Sequence, residues 1–369
     1  MQAPAHLNRR NFIKSGLVAA AAWPEITQRA SLAAPAGGRR AQLGAYYLNA
    51  HMYTSVPRHV RADMEWMADK GTHFVCVGIL EQDLWAAHEN IALIIAEAAR
   101  VGMQAIAVPS RWAGLTAGAP KVPSMFSVLN PHTWIVNKKG ISGFATKVSG
   151  VISSVHWPET YEFFTKTLAD LYRQHPALIG FILDEPKGFH VDYSAKAIEV
   201  LGKDAPRAAH LKAAADFYDR VCAFAKKQYP DKLTLLFTQM HNDEDEIELC
   251  AAMRHLDYFG GDGRPWDLAA DNAWKGGTSG QESGKGKVLL SGKGKKFIEL
   301  AHTRRKKSFF LIENHNLSAD MIPAMDRHYP EVLALGADLY LYYYYPRNVQ
   351  EPDRAMDVIG RHLKRFSGS

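Results

Sequence analysis

Gly180-Phe181-Ile182-Leu183-Asp184-Glu185-Pro186 is a short apolar run that ends in two carboxylates and a proline. Phe309-Phe310-Leu311-Ile312-Glu313-Asn314-His315, much later in the chain, ends the same way. An apolar run of four to eight residues between turn signals reads as a strand buried on both faces, the kind found in parallel sheets. An acid at the end of such a strand stands at the rim of the sheet, where open α/β architectures build their sites. Two such acids suggest a carboxylate pair.

The same pattern repeats along the chain. Strands are predicted over 43–49, 73–79, 104–109, 178–183, 233–238, 256–260, 308–312 and 338–343, with helical stretches between them. Pro57 opens a helix that runs to Lys70 ahead of Gly71. Ile91, Leu93, Ile94, Ile95 and Ala98 mark a helix from His88 to Val101, stopped by Gly102. Pro158 opens another, with Tyr161, Phe164, Leu168 and Leu171 at three- and four-residue steps. Ser318 is placed to cap the helix before the last strand, and residues 350–366 close the chain with an amphipathic helix. Eight strands alternating with helices predict a single (β/α)8 TIM barrel, an α/β fold. A doubly wound nucleotide-binding sheet is disfavoured, because Asn49-Ala50-His51-Met52-Tyr53 follows the first strand where a glycine fingerprint would be needed. The Gly-Lys repeats of 276–296 lack the spacing of a phosphate loop.

Two long loops interrupt the rhythm, from about Ala113 to Trp157 after strand three and from Asp262 to about Leu290 after strand six. Both follow strand C-termini, the face on which barrels carry their sites. Phe126, Trp134 and Trp157 suggest that the first is a packed substrate wall, whereas Gly276-Gly277-Thr278-Ser279-Gly280 makes the second read as mobile.

The N-terminus reads Asn8-Arg9-Arg10-Asn11-Phe12-Ile13-Lys14, then a short alanine-rich segment broken by Pro24. It resembles a twin-arginine export signal and is too short to span a bilayer. Residues 1–36 are therefore read as a signal and 37–369 as the barrel. The expected location is periplasmic or secreted in a bacterium, reached through the twin-arginine export machinery. Removing four basic residues and one acidic residue with the signal leaves 40 against 37, a charge of +3 that gives no footing for nucleic acid. Cys76, Cys222 and Cys250 are too few and too scattered for a disulfide framework or a zinc site, and read as buried small hydrophobes.

The strand ends collect polar and aromatic residues on one face. Asn49, His51 and Tyr53 follow the first strand, Glu81 and Asp83 the second, and Arg111 and Trp112 the third. Asp184 and Glu185 follow the fourth, Gln239, His241 and Asn242 the fifth, and Asp262, Arg264 and Trp266 the sixth. Glu313, Asn314 and His315 follow the seventh, and the last strand ends in a tyrosine run from which Tyr344 or Tyr345 is placed to reach the mouth. Carboxylates, amides, imidazoles and rings together suit a neutral polyhydroxylated ligand. Asn49, His51, Arg111, Trp112, His241, Asp262, Trp266, His315 and Tyr344 are its expected binders.

With Glu185 ending strand four and Glu313 ending strand seven, the barrel resembles the clan A glycoside hydrolases. That resemblance implies a carbohydrate substrate, no cofactor, an acid/base role for Glu185 and a nucleophilic role for Glu313. Members of the clan usually carry Asn before the acid/base, in contact with the sugar 2-hydroxyl, and this chain has Asp184. Independently of the family, glycoside cleavage needs one protonated carboxyl and one ionised carboxylate. Glu185 is expected to be the acid, its pKa raised by burial and by Asp184, with Glu313 kept ionised by Arg111, Arg264 or His315. Three alternatives stay open. Asp184 and Glu185 suit substrate-assisted hexosaminidase chemistry; Glu185, His241, Asp262 and Glu313 suit a metal-dependent sugar isomerase or epimerase; and the barrel could bind sugar without turnover.

Overall fold

The computed structural model describes residues 41–48, 55–118, 122–143, 151–265, 290–345 and 348–368. The expected signal at 1–36, the site candidates Asn49, His51 and Trp266, and most of the second long loop lie outside these residues. Eight parallel strands close into a barrel in sequence order: β1 Gln42–Tyr47, β2 Phe74–Ile79, β3 Gln104–Pro109, β4 Gly180–Asp184, β5 Leu233–Gln239, β6 Tyr258–Gly263, β7 Lys307–Ile312 and β8 Leu339–Tyr343. β8 returns to β1 with Gln42 opposite Leu339, which removes both sheet edges.

The helices of the outer ring are α1 Pro57–Asp69, α2 Asp83–Ala86, α3 His88–Arg100, α4 Met125–Leu129, α5 Pro158–Gln174, α6 Ala195–Leu201, α7 Arg207–Gln228, α8 Glu244–Ala252, α9 Leu290–Thr303, α10 Ile322–Leu333 and α11 Pro352–Ser367. Proline opens α1, α5 and α11, where its missing N–H costs nothing. Glu244, Asp245 and Glu246 occupy the first turn of α8 and complement its dipole. Ser318 makes no side-chain cap; a 3-10 turn over Ala319–Met321 leads the chain into α10 instead. Among the described residues no helix is long and apolar enough to cross a membrane. Cys76, Cys222 and Cys250 are free and buried.

Alternation along the strands divides the core in two. Leu43, Ala45, Tyr47, Val75, Val77, Leu183, Leu236, Phe310 and Tyr342 join the layer packed against the helices. The opposite parity fills the barrel, with Tyr46 edge-on to Phe237, Phe237 to Phe309, and Tyr258 to Phe309. Close neighbours on both faces account for the glycines of β6. A Cβ on Gly260 would lie 2.0 Å from the Phe309 carbonyl oxygen, and one on Gly261 would meet Met240 and Phe297. Sequence patterning ended this strand at Gly260, since glycine weakens a strand signal. The ladder runs on through Asp262 and Gly263, paired with Leu311 and Ile312.

The described part of the first long loop is short turns and bridges. A 3-10 turn at Trp112–Gly114, α4 and a second turn at Pro131–Thr133 are followed by Trp134 bridging Ser153. Glu81 anchors it, accepting from the Ala113 and Phe126 amides and from the Ser124 hydroxyl. Phe126 stacks on Phe163 of α5 at 4.5 Å, and the Trp134 indole N–H donates to the Ser127 carbonyl. These two rings of the expected substrate wall are engaged in the loop's own packing.

Gly260→Ala should destabilise the barrel by at least about 2 kcal/mol, because its methyl meets backbone that cannot move aside. Urea unfolding against the wild type measures this.

Candidate active site

Parity decides which strand-end residues face the mouth. Continuing the inward set places Tyr46, Asp184, Gln239, Asp262, Glu313 and Tyr343 at the C-terminal rim. Glu185 follows the inward Asp184 and would by alternation point toward the helices. Its φ of 40° breaks the extended chain there. The left-handed turn, costly for a residue with a Cβ and more so ahead of Pro186, brings the Glu185 carboxylate back among the inward acids. Arg111, Asn316 and Tyr345 also have positive φ just past strand ends, so strain concentrates at this rim.

One carboxylate oxygen from each of Glu185, Asp262 and Glu313 lies within 4.8 Å of the other two. Gln239 Nε2 donates to Glu185 Oε1 at 2.8 Å and Lys187 Nζ to Oε2 at 2.9 Å. Glu313 is 3% exposed, with His315 Nε2 at 3.7 Å from its Oε1. The His315 ring stands edge-on to Tyr343 at 5.2 Å, and Tyr343 in turn to Tyr46 at 5.3 Å. Asp184 lies deeper, 4% exposed, and accepts from the Tyr46 hydroxyl at 2.6 Å.

The neighbouring Asp184 is an acid whose surroundings favour its protonated form. Burial, then the charge of Glu185, pushes the Asp184 carboxyl up to about 7, against the Tyr46 hydrogen bond and the charges of Lys187 and Arg111. Glu185 accepts a donor on each oxygen, the Gln239 amide on one and the Lys187 ammonium on the other. Desolvation therefore acts most on the inward neighbour, while the left-handed turn keeps Glu185 nearer water and the Lys187 ammonium.

The expected binders separate accordingly. Arg111, Asp262 and His315 are buried at the rim, and Arg111 is close enough to bear on Asp184. Trp112 is not at the mouth: it is buried against Phe163 and Phe164, with its indole N–H donated to the Ile79 carbonyl. Tyr344 has outward parity, lies 5.4 Å from the Trp66 ring, and donates its hydroxyl to Asp63 on α1. Tyr343, one residue earlier, takes its place at the mouth. His241 is exposed in the turn after β5. Tyr46 and Lys187 were not singled out by sequence. Inward parity on β1 was the available signal for Tyr46, whereas Lys187 lies in a loop, where spacing carries no direction.

Glu185, Asp262 and Glu313 are also the one group among the described residues whose donor atoms are spaced to share a cation. Two of the donors around Glu185 already occupy its oxygens, one of them an ammonium, and His241 is not part of the group.

The chain is thus a (β/α)8 barrel with acids at the ends of its fourth and seventh strands. No family model matches the chain, and no curated protein matches its sequence. Solved structures do share the fold. An endo-β-1,4-mannanase from Thermotoga petrophila aligns at TM-score 0.57 and 13% identity, over 90% of this chain and 78% of that one. The catalytic domain of a β-amylase from Paenibacillus polymyxa aligns at TM-score 0.57 and 7% identity, over 88% and 98%. A β-galactosidase from Bacillus circulans sp. alkalophilus aligns at 0.61 and 12%, over 89% of this chain and 56% of the other.

Asp184 makes stability depend on pH. Its folded value lies above the ordinary 3.8, so the native state holds a proton that the unfolded chain releases. The stabilisation is complete below about 4 and is lost as pH rises through about 7. Asp184→Asn should therefore lose less stability than the wild type across that window, read as the difference in Tm at its two ends.

Proposed function

We propose that this chain is a glycoside hydrolase using two carboxylates, Glu185 as acid/base and Glu313 as nucleophile. The observation that carries the reading is the approach of their oxygens to within 4.8 Å at the C-terminal mouth. Retaining glycosidases hold their carboxyls about 5–5.5 Å apart, and inverting enzymes about 6.5–9.5 Å, to admit a water between them. The spacing supports retention. The fold shared with mannanase, amylase and galactosidase structures supports a carbohydrate substrate.

The division of roles follows from exposure. The Glu185 side chain is 15% exposed, open enough to meet a leaving-group oxygen and later a water. Glu313, buried and beside His315, suits attack on the anomeric carbon from a fixed position. In the first step Glu313 forms the glycosyl bond while a protonated Glu185 gives its proton to the departing oxygen; in the second, Glu185 takes a proton from water as the glycosyl bond breaks. Asp262, Tyr343 and Arg111 are left to bind sugar hydroxyls. Asp184 is held beneath them by Tyr46, which weighs against a role in polarising a 2-acetamido group.

The three-carboxylate spacing favours one second reading, a divalent cation serving an isomerase or epimerase. A panel of aryl glycosides separates the two. The hydrolase reading expects turnover that EDTA leaves intact, product of retained anomeric configuration by NMR, and losses in kcat of roughly 10²–10⁴ for Glu185→Gln and Glu313→Gln. Near-wild-type rates in both variants would sink the carboxylate assignment. Chelator-sensitive turnover would favour the cation.

Export is proposed on the paired arginines alone. Replacing both Arg9 and Arg10 by Lys should leave the protein in the cytoplasmic fraction of a bacterial host, whereas the unaltered chain reaches the periplasm.

A further inference from the structure

We propose that Lys187 is a positioning residue, holding the Glu185 carboxylate in line with the departing oxygen. This rests on the acid/base reading of Glu185. That side chain springs from a backbone that does not favour its direction: φ is 40° and Pro186 follows. Such a turn persists only where contacts over-determine it. The surrounding charge works against it as well, since carboxylate oxygens of Asp262 and Glu313 approach within 4.8 Å. Mutual repulsion among these acids would swing Glu185 outward.

Two donors oppose that swing, the Gln239 amide on Oε1 and the Lys187 ammonium on Oε2. Lys187 alone brings charge, and a charge-assisted bond is roughly twice as strong as a neutral one. Its influence also reaches Asp184 and the half-buried Glu246 of α8, so the ammonium stands among several acids.

The loop that carries Lys187 is built to keep it there. Its amide donates to the Leu115 carbonyl at 2.7 Å. The fully buried Tyr218 hydroxyl of α7 lies 2.7 Å from the Lys187 carbonyl and 2.6 Å from that of Leu115. Ala117 donates to the Asp184 carbonyl, so the loop after β3 grips both ends of the Asp184–Lys187 segment. A surface lysine that met Glu185 by chance would not need this scaffold.

A positioning role predicts dependence on the leaving group. Dinitrophenolate departs without a proton, whereas phenoxides and alkoxides need one. In kcat/KM, Lys187→Met should lose no more than about 3-fold on a dinitrophenyl glycoside and roughly 10²-fold on the phenyl and alkyl glycosides of the same sugar. Lys187→Arg should recover most of the loss on the poor leaving groups. Lys187→Gln, a closer match in shape, serves as a second neutral variant, and Tm confirms that each is folded. Equal losses across all leaving groups, or none, would overturn the assignment while leaving the hydrolase reading in place. A wild type that cleaves no glycoside would overturn that reading, and this one with it.

Discussion

Strand alternation in a closed barrel is the constraint from which the site follows. With no free edge, the register of each strand determines which side chains face the axis, and a shift of one residue would exchange the two faces. That is why Asp184, Asp262 and Glu313 converge without any loop to guide them. It is also why the neighbouring Trp112 and Tyr344 turn away into helix packing, although each has the composition of a sugar binder. Glu185 belongs to the site only by leaving the strand conformation, through a backbone turn that other contacts must sustain.

Crowding four carboxylates at one rim requires compensation, and three of them show different means. Burial favours the protonated form of Asp184, which also receives the Tyr46 hydroxyl. Glu185 is paired with an ammonium and an amide. Glu313 has an imidazole beside it. Acids that differ in environment can differ in protonation at one pH, which is what a two-carboxylate reaction requires.

Much of this was legible in the sequence. The eight apolar runs identify the strands because strands buried on both faces leave an unbroken hydrophobic signal. The acids after strands four and seven stand out because each interrupts such a signal. Three things were not legible. β6 was shortened because Gly260 and Gly261 answer to the bulk of Phe309, Met240 and Phe297, which lie far away in sequence. Tyr343 and Tyr344 are chemically identical, and only the register of the closed barrel tells inward from outward. The direction of the Glu185 carboxylate depends on a turn and on a lysine whose loop is held by Leu115 and Tyr218.

Tyr218 ties the loop after β3 to the loop after β4 through a single hydroxyl placed behind both. Barrel enzymes are often pictured as a fixed scaffold bearing eight interchangeable loops. Here two of the eight form one structural unit, and grafting either without the other, or without this helix, would bring in a foreign partner for the same oxygen. Recombination that keeps 110–118, 184–190 and α7 together should yield working mouths more often than recombination that separates them.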